Sequence, residues 1–309
     1  MDPIEINYPV YTVDREILLA SGTLVSEALL DELIAGAPQP PSAPQPLLSH
    51  ARVRNDIHDL FGNPSYRIVF SDKRRNERIM ELLGKVELVD PVLASLDYFR
   101  RNDRYTYRHI LLVMMLSALL ARELLENTAE QQMGTMAGPM HDIGKTSIPL
   151  AILQKKQPLN EAEYRYLKHH AIAGYVLLAY YLRDPRCLAA RVARDHHERR
   201  NGTGYPRGIA LRDPMIEIIM ACDVFDALIS PRPYRPQSFD TRTALEELTG
   251  MAAEGALDRD VVRALVSFNR KSHPHYRDCH FSHEKRGTPP PGNLYAVRAD
   301  RTGPSENDN

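Results

Sequence analysis

The spacing of apolar positions changes once along the chain, near Val89. Before that point apolar residues come in short clusters. Val10, Tyr11 and Val13, then Ile17, Leu18 and Leu19, flank Asp14-Arg15 and predict two short strands around a turn. Gly22-Thr23 closes this unit, and Ser26 suits the N-cap of a helix through Ala28, Leu29, Leu30 and Leu33. Five prolines between Ala37 and Pro46 predict an extended, semi-rigid segment. A second helix is expected over Lys73 to Leu83, with Gly84 as its stop.

From Val89 onward the period is helical. Tyr105 to Leu125 predicts one long helix and Thr135 to Lys145 a second. Pro149 suits the first turn of a short helix containing Ile152 and Leu153. Asn160 with Glu163 has capping-box spacing and opens a predicted helix to Leu182. Further helices are expected over Cys187 to Glu198, Ile216 to Ile229, Leu245 to Leu248 and Asp260 to Phe268. Asn201 to Pro206 cannot be regular structure. The predicted fold is mainly α: a small α+β N-terminal domain over 1–88, a helical bundle over 89–270, and an irregular tail over 271–309 that is rich in His, Pro, Gly and charge.

Bulk properties narrow the function classes. The chain has 309 residues and a net charge of −1, so no global basic field attracts a nucleic acid polymer or anionic lipid. The longest apolar run, Ile110 to Ala121, is too short to span a bilayer, and the N-terminus lacks a signal-peptide pattern. Cys187, Cys222 and Cys279 are scattered, which argues against a disulfide framework or a CxxC zinc site. A cytoplasmic protein is expected.

The histidines are the biased quantity: six of the 12 lie between His109 and His197. His141-Asp142 offers an imidazole and a hard carboxylate in succession, with Lys145 three positions on. His109, His141, Asp142, His170, His196, His197 and Asp223 fall on five predicted helices, and bundles build di-metal sites from inward-facing residues of several helices. Imidazole and carboxylate without thiolate suit iron, manganese, zinc or nickel better than calcium or magnesium. Two metals about 3.5–4 Å apart can clamp a phosphodiester and present a water for in-line attack. Singly, each residue has a plainer reading. His109 reads as a core histidine, Asp223 as a cap or buried ion pair, and Asn201–Tyr205 as a tight turn. His196 and His197 lie about 100° apart on one predicted helix and need not share a site.

Taken in order, the strings His141-Asp142-Ile143-Gly144-Lys145, Ile148-Pro149…Ile152-Leu153…Lys155, His196-His197-Glu198-Arg199…Gly202-Thr203-Gly204-Tyr205-Pro206…Gly208, Asp223 to Leu228, and Arg232-Pro233-Tyr234-Arg235 resemble the HD-GYP family of the HD phosphohydrolase superfamily. The resemblance runs from about Val89 to Phe268, more weakly over Gly287 to Tyr295. It implies a helical HD-domain bundle that hydrolyses the bacterial second messenger cyclic di-GMP to the linear dinucleotide or GMP. It implies that the seven His and Asp residues are metal ligands, with Asp142 as the bridge. Lys145, Gly204, Tyr205, Arg232 and Arg235 fall at substrate-side positions, and Asp103 at an acidic position associated with proton transfer. Val10 to Leu33 is also similar to a small module preceding such domains, although a packing cap explains it as well.

The chain departs from the family at several positions. Members with three metals carry a Glu one turn before the first His. Here that residue is Tyr105, so two divalent transition metals are expected, iron first and manganese next. Ala171 replaces a common Pro, Asn201 a common Asp, and Glu217 a common Arg; Glu217 is expected to weaken anion binding. These departures keep two alternatives in view. One is a signalling adaptor that binds cyclic di-GMP and protein partners with little turnover, and the other is a phosphohydrolase acting on another nucleotide.

Overall fold

The computed structural model describes residues 2–37, 43–50, 52–232, 237–281 and 284–290. Four short strands, β1 (Ile4–Glu5), β2 (Val10–Tyr11), β3 (Ile17–Leu19) and β4 (Leu24–Val25), form two antiparallel pairs, β1 with β4 and β2 with β3. Asp14-Arg15 turns the chain as expected, with Arg15 in the left-handed region at φ 68°. Helix α1 (Glu27–Ala35) is capped by Ser26, whose Oγ accepts from Leu29 N–H at 3.2 Å. Strand β5 (Gln45–Pro46), helices α2 (Val53–Phe61) and α3 (Lys73–Leu83) and strand β6 (Glu87–Leu88) complete this part, with β5 antiparallel to β6. Strands β1, β4, β5 and β6 escape sequence reading because two residues are too few to show alternation. Half of the proline-rich stretch, 38–42, falls outside the described residues.

The bundle begins with α4 (Asp90–Asn102) and α5 (Arg104–Leu124). Every residue of α5 from His109 to Ala121 is buried, as expected of a helix apolar on all sides. It packs against α6 (Thr128–Ala137) and, further along the chain, α11. Then come α7 (Leu150–Leu153), α8 (Glu161–Lys168), α9 (His170–Leu182), α10 (Leu188–Asp195), α11 (Pro214–Ile229), α12 (Thr241–Ala253) and α13 (Arg259–Phe268). Helix α11 is buried from Met215 to Ile229, so α5 and α11 form the centre. No described helix is long and apolar enough to cross a membrane.

Helix α12 is longer at both ends than the expected Leu245 to Leu248 and α6 starts before Thr135, while three helix ends beside functional strings also differ from expectation. The helix expected over Thr135 to Lys145 stops at Ala137. Pro139 has no N–H to continue it, and two 3₁₀ turns follow, Gly138–Met140 and Ile143–Ser147. The helix expected to run from Asn160 to Leu182 has its capping box but breaks at His169. The helix expected to reach Glu198 ends at Asp195. Beyond α13, Tyr276 and Cys279 are buried around a short turn at Tyr276–Asp278, while residues 291–309 fall outside the described residues.

The β2–β3 hairpin docks on the bundle beside the His-Asp string. Tyr11 N–H donates to Ser147 Oγ at 3.1 Å, and the Arg15 guanidinium donates to the Thr146 carbonyl at 3.0 Å and to the Tyr98 hydroxyl at 2.6 Å.

Candidate metal centre

His141 and Asp142 lie between the two 3₁₀ turns, where the chain reverses against α9. Gly144 is obligatory there. A Cβ on it would come within 1.9 Å of the His170 carbonyl oxygen and 2.4 Å of the Gly174 nitrogen. The missing side chain brings the His-Asp string and the start of α9 together, and His141, Asp142 and His170 are all buried.

Three imidazoles are held in the same way. Nδ1 of His141 meets the Gly138 carbonyl at 2.7 Å, Nδ1 of His170 the Leu167 carbonyl at 2.6 Å, and Nδ1 of His196 the Ala193 carbonyl at 3.0 Å. Each of these acceptors lies three residues back, at the end of a helix or turn; His196 Nδ1 is also 3.0 Å from the Val192 carbonyl, which accepts the His196 N–H as well. His109 is anchored instead on Asp226, with Nδ1 to Oδ2 at 2.6 Å. Carbonyls and carboxylates only accept, so all four rings carry a proton on Nδ1, and in the neutral form that binds a metal each aims an Nε2 lone pair inward.

Those lone pairs converge. Nε2 of His109 lies 3.4 Å from Nε2 of His141, Nε2 of His170 lies 3.3 Å from that of His196, and Nε2 of His197 lies 3.1 Å from that of His170. Two groups result, His109 with His141 and Asp223, and His170 with His196 and His197. Within each group the donor atoms lie within 4.8 Å of one another. Asp142 stands between the groups. Its Oδ2 is 3.5 Å from Nε2 of both His109 and His141; its Oδ1 is 3.5 Å from Nε2 of His170 and 4.0 Å from that of His196. Asp223 Oδ1 is 3.1 Å from His109 Nε2, and its Oδ2 is 3.8 Å from His197 Nδ1, which has no hydrogen-bond partner among the described residues. Acceptors facing acceptors repel unless a cation lies between them, so this donor set fits divalent metal ions.

The electrostatics agree. Burial pushes the His170 ring down to about 3 and His196 to about 4, and lowers His141 and His197 as well, so these imidazoles stay neutral as metal ligands require. Burial also opposes charge on His109, but Asp223 and Asp226 outweigh it and hold the metal-free ring at about 9. Burial would raise Asp142, yet Lys145 and the surrounding imidazoles keep it well below the usual carboxylate range. Lys145 Nζ donates to Asp142 Oδ2 at 2.5 Å.

The glycine-tyrosine loop lies against the second group. The Tyr205 ring stacks on His197 with centroids 4.6 Å apart, and Tyr205 N–H donates to the His197 carbonyl at 3.1 Å. A Cβ on Gly204 would fall 2.4 Å from both the Glu198 Cα and the His197 carbonyl oxygen. Buried Glu198 fastens the far side of the loop, accepting from Arg207 N–H at 2.6 Å and Ile209 N–H at 3.1 Å. Since α10 ends before His196, the 100° helical offset does not apply. The His196 and His197 rings sit 4.0 Å apart, and both reach the site.

On the other side, Tyr105 stacks on His109 at 6.0 Å, and the Arg232 guanidinium lies 5.2 Å from the Tyr105 ring centroid. Arg235 falls outside the described residues. Asp103 is buried as the N-cap of α5, accepting from Thr106 N–H at 3.2 Å and from the Thr106 hydroxyl at 2.7 Å. Glu217, expected to weaken anion binding, is buried and engaged by a neighbouring arginine. It pairs with Arg200 at 2.7 Å, and Arg200 in turn reaches Asp258 at 2.8 Å.

Sequence reading gave no role to Asp226. Besides His109 it accepts from the Tyr66 hydroxyl at 2.5 Å and the Ser230 hydroxyl at 2.8 Å, and it is fully buried. Its signal was its place three residues after Asp223, on the same helical face.

A family model described as HD domain matches residues 88–261, the span that carries the whole centre. The chain belongs to the HD domain family. Within this HD domain lie all five strings that resemble HD-GYP proteins. A cyclic di-GMP phosphodiesterase of Pseudomonas aeruginosa is 36% identical over 211 residues, covering 64% of this chain and 50% of the relative. A cyclic di-GMP phosphodiesterase of Thermotoga maritima is 30% identical over 239 residues, covering 74% and 63%. A 3'3'-cGAMP-specific phosphodiesterase of Vibrio cholerae is 41% identical over 133 residues, covering 42% and 28%. The chain therefore spans between half and two thirds of the length of the first two relatives.

Proposed function

We propose that this HD domain protein is a metal-dependent phosphodiesterase that opens cyclic di-GMP to the linear dinucleotide and GMP. The observation that carries the reading is Asp142, whose two oxygens each face a separate group of imidazole nitrogens. One metal would be held by His109, His141 and Asp223, the other by His170, His196 and His197, with Asp142 bridging them. Iron is the first choice and manganese the second. When bound, the two ions would neutralise phosphate charge and supply an activated water.

The chain's own groups supply the rest. Lys145, tethered to Asp142, places a cation and a proton donor at the rim of the centre, where a phosphate and the departing oxygen would lie. Arg232, backed by the Tyr105 ring, offers a guanidinium fork for a phosphate, and Arg235 is assigned the same role. Gly204 lets the loop backbone lie close to His197, and Tyr205 presents its ring beside that histidine, where a base can stack. Both Asp103 oxygens are engaged by Thr106, so the proton-donor role goes to Lys145. Residues 89–270 are taken as the catalytic unit and 1–88 as its accessory. This reading goes with a cytoplasmic location.

A second reading, binding with little turnover and signalling through protein partners, rests on Tyr105, whose ring covers one face of His109. The test is hydrolysis of cyclic di-GMP by iron- or manganese-loaded protein under reducing conditions, with 3'3'-cGAMP in parallel. Linear product that disappears in Asp142→Ala supports the enzyme. Binding without product selects the second reading, and preference for 3'3'-cGAMP moves the substrate.

A further inference from the structure

A second charged cavity lies about 14 Å along α5 from His109, taking the nine-residue step to Ala118 at 1.5 Å per residue. It has a volume of about 330 Å³ and sits where α3, the C-terminal half of α5 and the end of α13 meet. Its lining holds four arginines, Arg74, Arg75, Arg78 and Arg122, against two carboxylates, Asp72 and Glu123, a surplus of two positive charges. We propose that this cavity is a binding site for a small phosphate-bearing anion, of the pyrophosphate or nucleoside phosphate class.

Three observations carry the assignment. The first is the sequence of α3, whose first turn holds Lys73, Arg74 and Arg75 and no acid. Cations at a helix N-terminus oppose the macrodipole, and Arg74 with Arg78 adds a like-charge pair at i,i+4. The Asp72 carboxylate at the N-cap offsets part of that cost, and an anion would relieve the rest. The second is how the basic groups are held. The Arg75 guanidinium is fixed by the Val69 carbonyl at 2.7 Å and lies 4.9 Å from the Phe268 ring centroid, so it is placed before any ligand arrives. Asp72 is engaged as the N-cap of α3, accepting from Arg74 N–H at 2.9 Å, and Arg74 and Arg78 are exposed members of the lining. The third is His273. It adopts a left-handed backbone at φ 41°, a conformation that costs about 1 kcal/mol or more outside glycine. Its ring packs on Phe268 at 4.6 Å, and its buried Nε2 has no hydrogen-bond partner among the described residues. A turn of the ring toward the cavity would let its N–H donate to a phosphate oxygen. The volume is at the small end of ligand cavities, which favours one or two phosphates over a dinucleotide.

The site shares no residue with the metal centre, and binding there is measured without turnover, so its test is independent of the phosphodiesterase reading. Equilibrium dialysis of radiolabelled pyrophosphate against the metal-loaded chain is compared with Arg74→Ala/Arg78→Ala, two exposed positions whose loss leaves the fold intact. The expected result is a binding event weakened about tenfold or more in the double variant, with metal content unchanged and the melting temperature held or raised, since the like-charge pair is gone. Arg74→Lys/Arg78→Lys, which keeps the charge, should recover most of it. Parallel titrations with inorganic phosphate and GMP separate the sources: tighter GMP assigns the site to a nucleoside phosphate, tighter pyrophosphate to the free anion. The proposal is overturned if the double alanine variant binds pyrophosphate like the wild type, or if no binding outside the metal centre is seen at millimolar ligand.

Discussion

Asp226→Asn tests how the centre is built. In the native protein Asp226 Oδ2 accepts from His109 Nδ1, while Oδ1 accepts from Tyr66 and Ser230. An amide of the same shape has one oxygen and one NH2. If its oxygen keeps the two hydroxyls, the NH2 faces His109 Nδ1 and forces the ring's proton onto Nε2. That Nε2–H then points at Asp223, 3.1 Å away, and donates to it instead of holding a metal. Turning the amide over would leave the buried Tyr66 hydroxyl proton without its acceptor, at about 1–3 kcal/mol. The substitution should therefore unfold little of the protein, costing roughly 1–2 kcal/mol. Loss of an anchoring partner of this kind typically weakens metal binding by about 10–100-fold. The assay is elemental analysis after dialysis against limiting metal, with thermal melting and product formation measured on the same samples. The expected result is one metal retained, by His170, His196 and His197, and turnover down by about 100-fold. Two metals at wild-type affinity with full activity would refute the tautomer argument, and a collapsed melting curve would show that Asp226 serves the fold first.

Gly144→Ala should be far more damaging than its size suggests. Its Cβ would collide with backbone of α9 that cannot move aside, so we expect loss of several kcal/mol by denaturant melting together with loss of metal. Glu217 predicts a pH dependence. Burial raises its carboxyl to about 7, above its unfolded value, so the stability tied to its protonated form is present below about 4.5 and is lost as pH rises through 7. Glu217→Gln should then match the wild type near pH 5 and be more stable at pH 8, by an amount of order 1–3 kcal/mol; equal melting curves at both values would contradict this. Asp103→Asn keeps an N-cap acceptor for Thr106, so stability should stay within about 0.5 kcal/mol and product formation should persist. A 100-fold fall in turnover in that folded variant would return the proton-transfer role to Asp103.

The chemistry at each position was legible in the order of residues. Ser26 and the Asn160–Glu163 box marked helix starts because caps are local, satisfied by side chains two or three residues from the backbone they bind. The buried stripes of α5 and α11 were legible for the same reason, since a helix apolar on every face has only the interior to occupy. The seven His and Asp residues and Lys145 could be nominated as a set because their types suit one chemistry.

What the sequence could not supply was aim. Whether His141, His170 and His196 face one point depends on where α6, α8 and α10 stop, because each ring is fixed by a carbonyl that a helix end or turn leaves open. Backbone acceptors carry no residue signature, so that rule is invisible in one dimension. The sequence reading let helices run through those ends, and in doing so it set His196 and His197 on different faces. Only tertiary packing gave Asp226 its three donors, two of them from elements distant in sequence, and only packing turned Glu217 toward Arg200. Residue type determined what the centre could bind; the breaks between helices, and the contact at Gly144 that brings two of them together, decided that it forms.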